Sequence, residues 1–399
     1  MAARKKNNYD FVGKRQIFAV VSVTFCLISL FLLFVVKPSM GIDFSGGTEI
    51  HVKFEQDVQA DKIRTVIGES FSDVNVQQVG AEDSFEYLIR IKIVEEGLEE
   101  KENQIAALLK KSFGEDFIED IDTRSEVGIR AVVAYKGEPK SIAEISNALL
   151  TMKEAKVKPS KDRRLFYVEL PGQVNNIQKQ IKSKINVPFV VLQTDSVGPK
   201  VGSELRQQGM ISILATLGLI LVYVALRFNL SFAPGAVLAL LHDVLIVVGI
   251  FILLDNLQKS LGDSMPIPLP PLEFNLPMVG ALLTIIGYSL NDTIVIYDRI
   301  RENMARYRQK DLAGLINTSI NETLHRTINT SLTTFFAMLA FLIFGGAIIQ
   351  TFALAIILGV IVGTYSTIYV ASPTILLMQE VQPFLTKFFA PSTTTKGAE

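Results

Sequence analysis

A carboxylate lies inside an apolar stretch that is long enough to cross a membrane. The stretch 280–303 reads GALLTIIGYSLNDTIVIYDRIREN, and Asp292 stands between two runs of aliphatic residues. An ionisable side chain is costly in the hydrocarbon region of a bilayer, so its presence there indicates a functional site. The alternative is that Asp292 and the neighbouring Asn291 only form hydrogen bonds that hold helices together.

Several polar residues of this stretch share one face of the predicted helix. Their separations of three, four or seven positions are helical repeats, and they are Tyr288, Asn291, Asp292 and Arg299. Arg299 lies about two turns, or roughly 10 Å, beyond Asp292. The arginine is therefore expected near the membrane border, with the aspartate deeper.

A second carboxylate, Asp243, lies in the apolar stretch 232–254 directly after His242. Both residues are about ten positions from the start of that stretch, which is near the middle of a bilayer. Asp243 and Asp292 are therefore expected to face each other at comparable depth.

Two buried acids can act as a proton relay, because a carboxyl group in an apolar medium gains and loses a proton as its surroundings change. If Arg299 reaches either aspartate, an ion pair formed in one conformation and broken in another would couple protonation to helix movement. A permanent salt bridge that only satisfies both charges is the alternative.

The composition indicates several membrane spans beside a soluble part. The chain has 399 residues, of which 49% are hydrophobic, and its mean hydropathy is +0.34. The 39 Lys and Arg residues balance the 40 Asp and Glu residues, so the charge does not favour nucleic acid as a partner. Cys26 is the single cysteine and the 3 histidines are scattered, so neither an intrachain disulfide nor a metal site is predicted.

Six apolar segments are each long enough to cross a bilayer. They are residues 16–36, 209–226, 232–254, 276–297, 328–345 and 348–378. Basic residues concentrate in 1–15 and in the loop 298–327, so both are expected in the cytoplasm, together with the tail 379–399. The segment 37–208 and the loop 255–275 then lie outside. The first span is expected to be an uncleaved anchor, because its apolar core is longer than that of a signal peptide and no A-x-A-like site follows.

The segment 37–208 is predicted to be an extracytoplasmic α+β domain. Strand and helix patterns follow one another twice in the order β-α-β-β-α-β, which is the ferredoxin-like order. A duplicated domain would divide the segment into halves 41–127 and 128–200, whereas convergent alternation of helices and strands is the alternative. The predicted fold class is an α-helical membrane protein with six transmembrane helices and an α+β domain of ferredoxin-like βαββαβ type.

The sequence contains few signals of an enzyme. Neither G-x-x-x-x-G-K-[ST] nor H-E-x-x-H occurs, so we predict neither a nucleotide-driven motor nor a zinc hydrolase. Two membrane aspartates could belong to an intramembrane aspartyl protease, and Tyr297 with Asp298 supplies a YD pair, but the partner motif G-x-G-D is missing. We therefore expect neither an enzyme nor a cofactor.

Four stretches resemble the SecD/SecF family of protein-export membrane proteins. They are GIDFSGGTEI from Gly41, SVGPKVGSEL from Ser196, LHDV from Leu241 and IGYSLNDTIVIYDRIREN from Ile286, in this order and with six spans. The last stretch is long and specific, and it is similar to the SecF type rather than the SecD type. The family belongs to the resistance-nodulation-division superfamily, whose members use proton flow through membrane helices to drive movements of their outer domains.

The resemblance implies an accessory subunit of the Sec translocase that uses the proton-motive force to promote late steps of preprotein export. Protons would be the coupling ion. Asp243, Asp292 and Arg299 match the family's membrane aspartates and its arginine, and Arg301 is a rival for the functional arginine. The supporting polar residues would be His242, Tyr288, Asn291 and Asp298.

The resemblance also implies partners and a location. Superfamily transporters generally have twice as many spans, so a SecD-like subunit is expected, and SecYEG, YajC, YidC, preproteins and membrane lipids are the other expected partners. The location would be the bacterial inner membrane, with both termini in the cytoplasm. The outer segment is longer than is usual for this subunit. Two other functions are open: export of small molecules or lipids, which would need an apolar outer cleft, and a passive scaffold, which would leave the membrane acids unexplained.

Overall fold

The computed structural model divides into two units. Residues Met1–Ser39 and Gly209–Glu399 form a helical unit, and Met40–Gln208 form an α/β unit. The structure describes residues 9–71, 73–79, 84–92, 98–125, 129–136, 140–150, 152, 155–160, 165–170, 173–228, 232–261, 272–307 and 311–389. The predictions for residues 1–8, for 262–271 of the loop 255–275 and for 390–399 of the tail lie outside these residues.

The described residues form helices before and after a stretch of alternating helices and strands. The helices are α1 (Arg15–Phe31), α2 (Ile42–Ser45), α3 (Ala60–Gly68), α4 (Leu98–Phe113), α5 (Ile142–Ala148), α6 (Gln173–Lys184), α7 (Pro199–Arg227), α8 (Ala233–Leu261), α9 (Leu276–Arg306), α10 (Leu312–Phe344), α11 (Ala347–Ser366) and α12 (Ser372–Phe389). The strands are β1 (Gly47–Phe54), β2 (Asn75–Val79), β3 (Glu86–Ile91), β4 (Ile118–Ser125), β5 (Ile129–Tyr135), β6 (Lys156–Pro159), β7 (Leu165–Leu170) and β8 (Phe189–Val197). Two π-helical turns, Leu32–Val36 and Thr367–Ala371, follow α1 and join α11 to α12.

The first sheet of the α/β unit has the order β2-β3-β1-β8, and all its pairs are antiparallel. Alternate residues of β1, namely Ile50, Val52 and Phe54, are buried, as period-two patterning requires. One face of the sheet packs against α3 and α6. The inward stripe of α6 is formed by Ile177 and Ile181 at a spacing of four, which places both in the same core cluster as β1.

The second sheet has the order β4-β5-β7-β6 and is also antiparallel. Its core joins Val133 of β5 and Val168 of β7 to Leu109 of α4 and Ile145 of α5. The helix α5 begins with a capping box, in which Ser141 accepts the backbone N–H of Glu144 and the Glu144 carboxylate accepts that of Ser141. These hydrogen bonds hold the pKa of the Glu144 carboxyl below its usual value.

The two sheets do not correspond to the proposed halves 41–127 and 128–200. The helix and strand that end the first half, α4 and β4, join the second sheet, whereas α6 and β8 join the first. The physical reason lies at the boundary: only three residues, 126–128, separate β4 from β5, and a link of that length favours a hairpin. Ser125 is accordingly paired with Ile129. The second sheet is therefore inserted between β3 and α6.

In the part of the chain that the structure describes, six helical segments are long and apolar enough to cross a membrane. They are Arg15–Val36, Lys200–Arg227, Ala233–Leu261, Leu276–Arg306, Leu312–Phe344 and Ile349–Glu380. The six apolar segments predicted from the sequence thus form six candidate membrane helices.

The predicted cytoplasmic loop 298–327 is mostly helical. The helix α9 continues to Arg306, and α10 already begins at Leu312, where the Asp311 side chain caps it by accepting the backbone N–H of Gly314. The first turns of α10 bury Leu315, Ile316 and Ile320. Apolar residues at helical spacing thus extend the helix of the fifth span far beyond its hydrophobic stretch.

Two glycines bring α11 very close to α9. A Cβ at Gly359 would lie 2.3 Å from the Cγ1 atom of Ile285, and one at Gly363 would lie 3.1 Å from the Cβ of Ser289. Small residues permit such close helix packing within membranes. The contact places polar side chains of α9 and α11 within hydrogen-bonding distance of a side chain of α8.

Candidate proton-exchange site

Asp243 on α8 is fully buried, with an exposed fraction of 0%, and three polar groups surround its carboxylate. The hydroxyl of Ser289 on α9 donates to Oδ2 at 2.6 Å, and that of Ser366 on α11 donates to the same atom at 2.8 Å. The Nδ1 atom of His242 lies 3.0 Å from Oδ1. A buried charge must be hydrogen-bonded, so one carboxylate ties together three helices.

The end of α11 is shaped around this carboxylate. Ser366 is the last residue before the π-helical turn Thr367–Ala371, and turns of this kind are frequent at functional sites. Thr367 lies with its hydroxyl 3.2 Å from that of Thr293 on α9, and its carbonyl accepts the Ser372 hydroxyl at 2.8 Å. The wider turn therefore meets α9 through the Thr367 hydroxyl.

His242 uses one ring nitrogen to contact Asp243, and the other has no hydrogen-bond partner among the described residues. The side chain is 6% exposed, and the second nitrogen is Nε2. The ring stacks on Tyr365 at 5.9 Å, and the Tyr365 hydroxyl lies 2.9 Å from that of Ser22 on α1. His242 thus lies between Asp243 and Tyr365, whose hydroxyl contacts the first span.

Asp292 on α9 has a different environment. It is 3% exposed, and its Oδ2 atom finds no hydrogen-bond partner in the described part of the chain. The nearby Ser331 hydroxyl on α10 lies 2.7 Å from the Thr364 hydroxyl on α11. Arg326, also on α10, acts on the carboxylate through its positive charge without forming an ion pair with it. Ser289, which binds Asp243, lies three residues before Asp292 on α9, so the two carboxylates lie about one helical turn apart along that helix.

Arg326 was missed in the sequence because it was counted among the basic residues of a cytoplasmic loop. The structure places it within α10, five residues before Ser331, with its side chain exposed. The available signal was the helical repeat of apolar residues before it, Leu315, Ile316 and Ile320, which extends the helix in the N-terminal direction.

Arg299 does not reach either aspartate in this structure. Its guanidinium pairs with Glu302, one turn along α9, and with Glu322 on α10, both at 2.6 Å. Asn303 donates to the same Glu322 carboxylate at 3.0 Å and to the Ser319 hydroxyl at 2.9 Å. Arg299 lies two turns beyond Asp292, where α10 presents a glutamate, so its charge is used to join α9 to α10.

The remaining predicted residues lie outside this cluster. Arg301 pairs with Asp298 at 3.2 Å on the exposed side of α9, and its guanidinium lies over the Phe228 ring. Asn291 is exposed, and the Tyr288 hydroxyl is buried with no hydrogen-bond partner among the described residues. The structure therefore contains two separate buried acids, Asp243 and Asp292, each with its own neighbours.

Comparison with known proteins assigns the family. The family model for the C-terminal part of protein export membrane proteins SecD/SecF matches residues 176–381, and the SecD/SecF GG motif matches residues 31–58. The chain is 36% identical over 384 residues to protein translocase subunit SecF of Calditerrivibrio nitroreducens, covering 95% of this chain and 97% of the relative. The chain belongs to the SecF family.

Larger relatives contain a region similar to this chain. Protein translocase subunit SecDF of Thermus thermophilus is 42% identical over 246 residues, which cover 61% of this chain and 30% of that protein. The crystal structure of SecDF from Thermus thermophilus, described as a translocon-associated membrane protein, aligns with a TM-score of 0.64 at 29% identity. The alignment covers 95% of this chain, which spans 40% of the SecDF chain.

The SecF-family GG motif has a clear structural requirement for glycine. Gly46 and Gly47 have φ angles of 71° and 138°, which favour glycine, and a Cβ at Gly47 would lie 2.8 Å from the Ile91 carbonyl oxygen. Gly202, in the stretch SVGPKVGSEL, packs so closely that a Cβ added to it would lie 3.0 Å from the Gly46 nitrogen. The motif therefore holds the start of β1 against the start of α7.

Exchanging the charges of Arg299 and Glu322 tests whether Arg299 anchors α9 to α10 or takes part in a proton relay. In a Glu302→Gln background, Arg299→Glu should weaken the contact between α9 and α10 by about 1 kcal/mol, because the pair is partly exposed. Adding Glu322→Arg should restore both the thermal unfolding midpoint in detergent and the export activity, since the pair is rebuilt with reversed charges. If stability returns but export does not, Arg299 acts through its own positive charge rather than as an anchor.

Proposed function

We propose that this protein is an accessory subunit of the Sec translocase that uses the proton-motive force to promote late steps of preprotein export. Membership of a family of protein translocase subunits supports the role in export. The observation that carries the proton-coupled part is the pair of buried membrane acids, Asp243 and Asp292, each tied to a different set of helices.

Protonation of Asp243 would loosen the junction of α8, α9 and α11. Its ionised carboxylate accepts hydrogen bonds on both oxygens, whereas a neutral acid carries a proton on one of them and accepts fewer. Each hydroxyl bond to a charged carboxylate contributes about 1.5–3 kcal/mol. Ser366 has a second acceptor, the Gly363 carbonyl at 3.1 Å, to which it can turn fully when Oδ2 is protonated.

Protonation of Asp292 would act on a different contact. The ionised acid attracts Arg326, and the neutral acid does not, so the force between α9 and α10 changes with the proton. The Oδ2 atom has no hydrogen-bond partner among the described residues, so it can take up a proton or accept a hydrogen bond from a further donor. The two acids therefore give two distinct helix contacts that a passing proton would weaken in turn.

The α/β unit is proposed to be the moving outer part. We infer that its first sheet is a ferredoxin-like βαββαβ unit, because the strands and helices follow one another in the order β1, α3, β2, β3, α6 and β8. The second sheet, inserted between β3 and α6, accounts for the enlarged segment and is proposed to extend the surface that meets the preprotein. The protein is proposed to act without a cofactor and not as an enzyme, with protons as the coupling ion.

The partner supported by the comparisons is a SecD-like subunit, since the relative from Thermus thermophilus combines both in its name and is much longer than this chain. We propose that it covers the face of α9 that exposes Thr284, Gly287 and Asn291. An amide group facing lipid is costly, whereas a partner helix can accept and donate to it. SecYEG, YajC and YidC are proposed as further partners. The protein is proposed to lie in the bacterial inner membrane, with both termini in the cytoplasm and the α/β unit outside.

Exchanging each aspartate for asparagine tests the proton-coupled role. In cells depleted of this protein, Asp243→Asn and Asp292→Asn should leave secretory precursors uncleared, because asparagine keeps the size but cannot take up a proton. The matched control is Asp298→Asn, on an exposed part of the same helix as Asp292, which should clear precursors as the native chain does. Equal clearance by all three variants, at equal amounts in the membrane, would make the membrane acids structural.

Replacing Asn291 with tryptophan tests the proposed partner face. The bulky ring should reduce co-purification of the SecD-like subunit, because a helix can no longer approach α9 closely at that point. Leu219→Trp, at an exposed apolar position of α7, is the matched control and should leave co-purification unchanged. Equal recovery of the SecD-like subunit with both variants would place the partner on another face.

A further inference from the structure

The chain leaves the helical unit through a short segment that is fixed to the end of α8. The Ser39 hydroxyl donates to Oδ2 of Asp255 at 2.6 Å. The Lys259 ammonium group lies 2.8 Å from the same oxygen and also donates to the Ser39 hydroxyl. Asp255 is 8% exposed, so its charge requires such partners. We call the group formed by Ser39, Asp255 and Lys259 the exit clamp.

The backbone of Ser39 is bound as well, next to a different helix. Its carbonyl oxygen accepts the N–H of Phe274 at 2.8 Å, two residues before α9 begins at Leu276. Asn275 lies between them and caps α9 by accepting the N–H of Met278 at 3.0 Å, which ties this segment to the first turn of the helix. Ser39 therefore connects the last turns of α8 to the start of α9.

The path from α1 to the exit clamp is also constrained. A Cβ at Gly249 of α8 would clash with the Ser29 side chain, so α1 packs directly on the backbone of α8. The π-helical turn Leu32–Val36 follows, and its first two residues pack against a core cluster that α8 and α9 share. Lys37 then has a φ angle of 62°, which is uncommon for a residue other than glycine and persists only where neighbouring contacts hold it. The bonds of Ser39, two residues later, are such contacts.

The two helices that meet at the exit clamp are also joined at Asp243. That residue lies on α8 about three turns, or roughly 18 Å, before Asp255, and Ser289 of α9 donates to it at 2.6 Å. Helix α8 runs without interruption from one site to the other. A shift of α8 relative to α9 at Asp243 would therefore also displace Asp255 relative to Phe274. Because Ser39 is bound to both, it must move with the helices or lose one of its bonds.

Ser39 is the last residue of the helical unit, and Met40 is the first residue of the α/β unit. We propose that the exit clamp couples shifts between α8 and α9 to movement of the α/β unit. The inference rests on the proposed proton-coupled function of Asp243 and on the proposed movement of that unit. The clamp residues are positioning residues, because none of them touches the Asp243 carboxylate. A clamp that contributed only to folding would lower the amount or stability of the protein, but would leave the coupling unchanged in the molecules that fold.

The variant that opens the clamp is Asp255→Leu combined with Lys259→Leu, which removes both partners of the Ser39 hydroxyl without leaving an unpaired buried charge. Asp255→Asn keeps an oxygen that accepts the Ser39 hydroxyl but cannot take up a proton, so it should retain the clamp. The matched control is Leu257→Ala, at an exposed position between the two clamp residues of α8. All variants are compared in the full complex in lipid and at equal amounts in the membrane.

Movement of the α/β unit is measured between spin labels at Leu192→Cys in that unit and Leu261→Cys at the end of α8, two exposed positions, in a Cys26→Ala background. In the native complex this distance should change between alkaline and acidic pH. The double leucine variant should lose the change and clear fewer precursors, but should keep the infrared carbonyl bands of the protonated membrane acids. The asparagine variant and the alanine control should retain the distance change, the clearance and the bands.

The two proposals fail in different ways. If the double leucine variant keeps the distance change, or loses the carbonyl bands together with it, the coupling role of the exit clamp is overturned. Loss of the distance change in Asp255→Asn would also overturn it, because that variant keeps the acceptor for Ser39. If Asp243→Asn shows the native distance change, or the native complex shows none, the proposed proton-coupled movement is wrong, whatever the clamp variants show.

Discussion

Removing a carboxylate from water is the physical constraint on which the helical unit depends. The idealised cost of moving such an ion into a medium of low dielectric constant is on the order of 20 kcal/mol, and several kcal/mol remain after relaxation. Asp243 meets this cost with polar groups from α8, α9 and α11. Because the donors stand on different helices, satisfying the charge also fixes how the helices pack.

Under the proposed function, the same constraint makes the structure sensitive to a proton. Three features allow close contacts near Asp243: the missing side chains of Gly359 and Gly363, the π-helical turn that follows Ser366, and the hydrogen bonds of Ser289 and Ser366. Neutralising the Asp243 carboxylate weakens the hydrogen bonds that Ser289 and Ser366 donate to it. Asp292 differs because its Oδ2 atom has no hydrogen-bond partner among the described residues. One acid therefore holds a packed junction, and the other is buried with fewer hydrogen bonds.

Much of the architecture and both acids could be predicted from the sequence. Apolar length identifies the six spans, and the cost of a buried charge identifies Asp243 and Asp292. The pairing of Arg299 could not be predicted, because it depends on Glu322, which is distant in sequence and lies in the predicted loop 298–327. Arg326 was missed for the same reason: hydropathy ends the fifth span where its apolar run ends, whereas the helix continues through buried Ile316 and Ile320.

The arrangement of the two sheets could not be predicted from local sequence patterns, for another reason. The strands and helices of the α/β unit occur in the predicted order, but the order does not decide which strands pair. The short link between β4 and β5 decides one pairing locally, and the pairing of β1 with β8 joins residues at opposite ends of the unit. Long-range pairing is set by the whole fold, so it cannot be derived from period-two patterns alone.

Proton exchange at Asp243 and Asp292 is the central claim, and infrared difference spectroscopy of the full complex in lipid, between alkaline and acidic pH, tests it most directly. Protonated carboxyl groups in an apolar site give carbonyl bands separate from those of ionised carboxylates. The account predicts two such bands, one missing in Asp243→Asn and the other in Asp292→Asn. Spectra that are identical in the native complex and in both variants would contradict it.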